Sequence, residues 1–279
     1  MAFTDLGSLL AGMASGAYRL PLTRNSLSTM VAGHEASLWR GVGFPSQAAI
    51  PGAAAICDNT LLGALPLAAR SGGQQRIISG ITLQGAAVGH TYLVEDRLGH
   101  MGGLSGVVTT AQTVNLNIHS NLAVSNLAER VGAVNYSEIE WYLEWYTATG
   151  ATVSTPTAQV TFHDGTTGSV NVWVLGATAL PASVAASRRY KLVPVNGKFI
   201  RSVESVTLSA STATAGSFGV TAVRRLCEVE VLVANALQVR DWSVLTAPKI
   251  ADNACVTLGQ LCITTTTGAM QGAIKQAVQ

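Results

Sequence analysis

Charge is what this sequence has least of. Charged residues make up 11% of the 279-residue chain, against about 25% in an ordinary soluble domain. A chain so poor in charge cannot cover its own surface with it, which predicts that partner subunits bury much of that surface. Lysine is scarcer still: Lys191, Lys198, Lys249 and Lys275 are the whole complement, beside thirteen arginines. Interfaces are depleted in Lys and enriched in Arg, although a GC-rich coding sequence would produce the same bias. The net charge of +2 leaves no electrostatic footprint for nucleic acid or an anionic membrane. The basic pairs Arg188-Arg189 and Arg224-Arg225 stand alone, without interleaved aromatics, and read as rim or subunit contacts.

Other absences narrow the chemistry. No run approaches the roughly 18 apolar residues of a transmembrane helix. The opening MAFTDLGSLLAGMASGAYR carries Asp5 and has no Lys or Arg before Arg19, so the basic region of a secretion signal is missing. It reads as mature protein, made and used in a cytoplasm. None of Cys57, Cys227, Cys255 and Cys262 has the C-x2-C spacing of a zinc site. Buried free thiols are expected, with a Cys255–Cys262 bond as the alternative in an oxidising setting. His34-Glu35-Ala36-Ser37-Leu38 begins like a zinc-protease helix, but Leu38 stands where the second His is required. Ser105 in GGLSG lacks the frame of a nucleophile elbow. His90 and His100 flank Glu95-Asp96, and these four would make a metal site only if a loop brought them together. No catalytic residue, cofactor or metal ligand is therefore assigned, and the expectation is a protein that is not an enzyme.

What is present is β pattern. VNLNIH (114–119) alternates, QVTFHDGTTGSVNVWVL (159–175) reads as a hairpin, and 199–211 and 218–233 repeat the alternation across a small-residue turn. In EIEWYLEWY (138–146), Ile139, Trp141, Leu143 and Trp145 fall on one face and the glutamates and tyrosines on the other. As a strand it sets Glu140 and Glu144 about 13 Å apart, too far for a glycosidase pair, and predicts a solvated carboxylate face. SNLAVSNLAERV (120–131) is the best helix after the N-terminus. Residues 36–75 are apolar yet dense in Gly, Pro and Ala. They are too interrupted for regular structure and too apolar for disorder. An extended arm lying on a neighbouring subunit fits both facts; a loop wrapped on the chain's own core is the alternative. The expected fold is mainly β: an antiparallel sandwich or jelly-roll-like body over 76–279, with an N-terminal arm over 1–75 made of a short helix and the Gly/Pro/Ala-rich extended segment.

Three segments, DRLGHMGGLSGVVTTAQTVN (96–115), IRSVESVTLSASTATAGSFGVTAVRRL (200–226) and DNACVTLGQLCITTTTGAMQGAI (252–274), taken in order with the aromatic strand between them, resemble virion-associated proteins of tailed bacteriophages and prophages. Where that group often carries a bulky aromatic after DRL, this chain has Gly99. The resemblance implies a virion structural protein, assembled in the host cytoplasm, with the major capsid protein or other virion proteins as partners. A capsid decoration or cement protein is the expected role, homo-oligomeric, with Leu38, Trp39, Phe44, Ile50 and Leu65 as arm contacts. A tail, neck or fibre-base protein is the alternative. A carbohydrate-binding module using Trp141, Tyr142, Trp145 and Trp173 as stacking platforms is a third.

Overall fold

The computed structural model describes residues 5–16, 18–195, 197–214, 216–245, 247–265 and 268–279. In chain order, α1 (Leu6–Gly16) leads into β1 (Tyr18–Asn25), then the short strands β2 (Glu35–Ser37), β3 (Val42–Phe44) and β4 (Ala55–Ile56). The long strands β5 (Arg76–Gly85) and β6 (Thr91–Ser105) come next, followed by β7 (Gln112–Asn117), the single turn α2 (Leu127–Arg130) and β8 (Ile139–Trp145). The middle of the chain forms β9 (Pro156–Phe162), β10 (Thr167–Trp173), β11 (Arg188–Leu192), β12 (Ile200–Leu208) and β13 (Ser217–Glu230). Last come β14 (Gln238–Asp241), the turn α3 (Trp242–Leu245), β15 (Val256–Leu261) and β16 (Met270–Val278). The fold is mainly β, as the alternation predicts.

The strands β2, β15, β6, β13, β8 and β11 pair antiparallel in that order, and β11 pairs back to β2, so these six close a barrel. Closure removes the open edges that a sheet otherwise presents. From β11 the ladder also continues outward through β10, β9, β12 and β7, forming a wing beside the barrel. A second sheet, in the order β14-β5-β16-β1-β3, covers another side.

Two hydrophobic cores follow from this arrangement. Between wing and barrel, Ile139, Trp141, Leu143 and Trp145 alternate off β8 to meet Val160, Phe162, Val170 and Val172 from the β9–β10 hairpin. Trp145 stacks on Phe218 with centroids 4.8 Å apart, and the Trp141 indole N–H donates to the Ile200 carbonyl at 2.9 Å. The hairpin turns where HDGTTG predicts, with the Asp164 carboxylate accepting from the Thr166 N–H and hydroxyl. The second core lies between the barrel and the five-stranded sheet, where Leu20, Leu22, Ile81 and Ile274 face Val94, Val256 and Leu258.

Two expectations change here. The helix expected over 120–131 is reduced to the turn α2, preceded by a 3-10 turn at His119–Asn121, because Ser125 and Asn126 take left-handed backbone angles (φ 50° and 52°) that no helix continues through. The N-terminal segment is not an arm separate from the body. β1 pairs with β16 along its length, from Tyr18–Gln276 to Arg24–Met270, and β2 is a stave of the barrel. A boundary at residue 75 would cut through one shared core. The alternative, wrapping on the chain's own core, is what the pairing gives.

Arginine holds the irregular part of that segment in place. Segments without regular structure leave backbone carbonyls unpaired, and a guanidinium offers five donors in a fixed fork. Arg24 donates to the carbonyls of Gly41 (2.7 Å) and Gly63 (3.2 Å), and Arg76 to those of Ala68 (2.7 Å) and Ala251 (3.3 Å). Arg40 donates to Tyr146 and Arg188 to Thr29.

Candidate functional site

The inner wall of the barrel is where the ionisable groups converge. Because side chains alternate across a strand, the β8 residues opposite Ile139, Trp141, Leu143 and Trp145 point inward: Glu140, Tyr142 and Glu144. The carboxylate face, which its sequence predicts to be solvated, is thus enclosed at Glu144 and half-buried at Glu140, and only Glu138, just before β8, stays exposed. Glu144 is 2% exposed and Tyr142 0%. Inward-facing residues of β6, β11 and β13 supply the counter-charges.

Toward one end, the Arg97 guanidinium lies 2.8 Å from the Glu144 carboxylate and 4.1 Å over the Trp39 ring. It donates to the Thr221 hydroxyl (3.0 Å) and to His100 Nδ1 (3.2 Å), and the Thr221 hydroxyl donates to Glu144 (2.7 Å). Burial pushes the Glu144 carboxyl up, but the adjacent Arg97 charge and the Thr221 hydrogen bond outweigh it, leaving Glu144 below the usual carboxylate range. In the middle, Arg189 grips Glu95 with two hydrogen bonds of 2.6 and 2.5 Å, reaches Glu35 at 3.0 Å, and lies 4.3 Å over the Tyr142 ring. Gly259 on β15 makes room for it, since a Cβ there would come within 2.4 Å of Arg189 Nη2. At the other end, Glu140 accepts from Lys191 (2.6 Å), the Tyr142 hydroxyl (2.7 Å) and Arg225 (2.9 Å). Burial opposes ionisation of Glu140, yet the Lys191 hydrogen bond and the Arg225 charge hold it down to about 2.

One further ion pair sits outside the wall. Glu95 and Asp96 alternate to opposite sides of β6, and Asp96 meets Arg130 at 2.9 and 2.6 Å. The four residues that a loop would have to gather for a metal site lie instead at and along a strand, with two of them already paired to arginine. Among the described residues, no group of three or more His, Cys, Asp or Glu is placed to hold a metal ion.

General acid–base work needs a titratable group free to exchange a proton with a ligand in reach. The carboxylates of the inner wall are instead engaged by arginine, lysine or hydroxyl donors. A cleft of about 450 Å³ outside the barrel repeats the pattern: Asp96 is held by Arg130, Glu138 by Arg224 and Arg225 by Glu140. The basic pairs thus read differently from the sequence. Arg188 and Arg189 are buried within the chain, and Arg224 and Arg225 pair with its own glutamates.

Of the residues expected to contact a partner, Leu38, Trp39 and Leu65 are buried inside the molecule, at 0%, 3% and 1% exposure. Phe44 and Ile50 are exposed, at 41% and 40%. Of the aromatic platforms, Trp141, Tyr142 and Trp145 are enclosed and Trp173 is exposed, so no stacking surface spans them. Cys255 neighbours Cys57 rather than Cys262, and all four cysteines are free thiols. Sequence reasoning missed the inward arginines. Position gave a signal in one case: Arg225 falls inside the alternating run 218–233, whereas nothing local marks Arg97 or Arg189 as strand residues.

No family model matches the chain, and no curated protein matches it. Among solved structures it shows a likeness to the crystal structure of the infectious bursal disease virus VP2 subviral particle, at 11% identity and a TM-score of 0.14, over 95% of this chain and 81% of that one. A TM-score of that size carries no argument about fold or role.

Proposed function

We propose that this chain is a structural subunit of a tailed-bacteriophage particle, a decoration or cement protein that sits on the capsid and bridges capsomers. Its partners are then the major capsid protein or other virion proteins, together with further copies of itself, and its location is the virion. The observation that carries this reading is the surface left after the ionisable groups have turned inward. Arg24, Arg76, Arg97, Arg130, Arg188 and Arg189 are all buried, whereas Leu62, Val134, Leu175, Leu237 and Val244 are each more than 60% exposed (63%, 93%, 67%, 62% and 64%). A surface this short of charge suits burial against neighbours, because interface cores are depleted in charged residues. The three segments that carry the phage resemblance also supply adjacent staves of the barrel, β15, β6 and β13, so they act as one unit.

The physical role is mechanical. An interface of ordinary size removes about 1,600 Å² from water, at about 25 cal/mol per Å² of its apolar part. Several kcal/mol survive the cost of association. Repeated over a shell, that gain opposes the outward pressure of packaged DNA. Quantitative mass spectrometry of purified particles tests the reading. A copy number comparable to the major shell protein is expected. A small count would move the protein to the tail, neck or fibre base, and absence from the particle would overturn the proposal.

A further inference from the structure

Two thiols that the assembly reading does not use meet at the edge of the barrel. Cys57 follows β4 and Cys255 precedes β15, and both strands pair with the same edge of β6: Ala55 with His100, Ile56 with Gly99, Val256 with Asp96. The Cys57 N–H donates to the Leu98 carbonyl at 3.0 Å, and the Cys255 carbonyl accepts from the Arg97 N–H at 2.8 Å. The two cysteines therefore occupy neighbouring rungs of β6, end to end, although they come from opposite ends of the sequence. Both are fully buried in one small cluster with Ala64 and Leu61. One ion pair fixes the backbone on both sides. Arg130 donates to the Cys57 carbonyl at 2.6 Å, and its partner Asp96 accepts from the Cys255 N–H at 2.9 Å.

We propose that Cys57 and Cys255 are a reversible disulfide site, a staple that forms when the protein meets a low-molecular-weight disulfide and opens again under reducing conditions. The surroundings assign the roles. Burial disfavours a Cys57 thiolate, but the adjacent Cys255 thiol and the nearby His100 and Arg97 more than offset it and hold Cys57 below an ordinary thiol, whereas the contact with Cys57, burial and the Asp96 carboxylate push Cys255 up. The Cys57 thiolate attacks one sulfur of the oxidant, whose S–S bond breaks and releases one small thiolate. Cys255 gives its proton to that thiolate, and its sulfur displaces the second small thiolate from Cys57. Two electrons leave the protein, and one small disulfide becomes two thiols. Access lies through one turn. Asn59, Thr60 and Leu62 are exposed, and Leu61 is the partly buried side chain packed over the pair. Cys227 and Cys262, pushed up by burial to about 12 and about 11, serve as internal controls that stay reduced.

The test uses the full chain, purified reduced, held with oxidised glutathione to equilibrium, then denatured and alkylated. The expected result is loss of two of the four thiols, a Cys57–Cys255 linked peptide by mass spectrometry, full recovery with dithiothreitol, and a thermal midpoint raised by about 5 °C or more. Cys255→Ser should instead trap glutathione on Cys57, and Leu61→Ala should accelerate staple formation in an otherwise wild-type chain. Retention of all four thiols at equilibrium, or linkage through Cys227 or Cys262, would overturn the proposal. The wild-type peptide map decides the matter even if a variant fails to fold.

Discussion

At Gly259 the inner wall has no space for a methyl group, because Arg189 already occupies it. Gly259→Ala should push Arg189 off Glu95 and cost about 2–3 kcal/mol, read as a lower urea midpoint. The tryptophans divide the same way. Trp141→Ala removes a buried ring and its hydrogen bond and should cost about 3–5 kcal/mol, whereas Trp173→Ala, at a site 56% exposed, should stay within about 0.5 kcal/mol. Glu140 gives a pH signature. Its carboxyl is lowered from 4.5 to about 2, so its contribution is fully present above about 4.5 and lost as pH falls through about 2. The stability gap between wild type and Glu140→Gln should therefore shrink between pH 5 and pH 2; a gap that ignores pH would remove Glu140 from the network. At this scale the sequence was legible on one side of β8 only. The aromatic face followed from alternation, but nothing local reveals that Glu144 will meet Arg97, which is contributed by a strand far away in the chain.

Elements explain why. The β9–β10 hairpin and the alternating β7 and β12 are local patterns, so their sequences suffice. β2 is three residues long, Glu35–Ser37, and no pattern marks it, yet it joins β15 to β11 and completes the ring. Whether a sheet closes depends on such a distant pairing, and closure is what turns the polar face of β8 into an interior. Gly99 belongs to the same scale. A Cβ there would lie 3.1 Å from Leu116 and 3.2 Å from the Ala55 carbonyl, so β7 and β4 pack directly against the β6 backbone. The role of the first 75 residues becomes testable as well. Deleting residues 1–37 removes β1 and β2, uncovers Leu258 and Ile274, and should yield an unfolded or aggregated product by circular dichroism. A soluble product with an intact β spectrum would restore the separable arm.

As a whole, the molecule is a closed barrel whose ionic interior lies between two apolar cores, and its surface is left poor in charge. Taking charges out of water costs several kcal/mol per ion, and the cost is recovered only when each charge keeps its partners. The network is thus a condition of the fold. The direct test is a double-mutant cycle at the Arg97–Glu144 pair, with global unfolding followed in urea for Arg97→Met, Glu144→Leu and the combination. Each single change should cost about 3–5 kcal/mol by stranding the other charge, and the double variant should cost much less than their sum. Single variants as stable as wild type, or costs that simply add, would contradict the account.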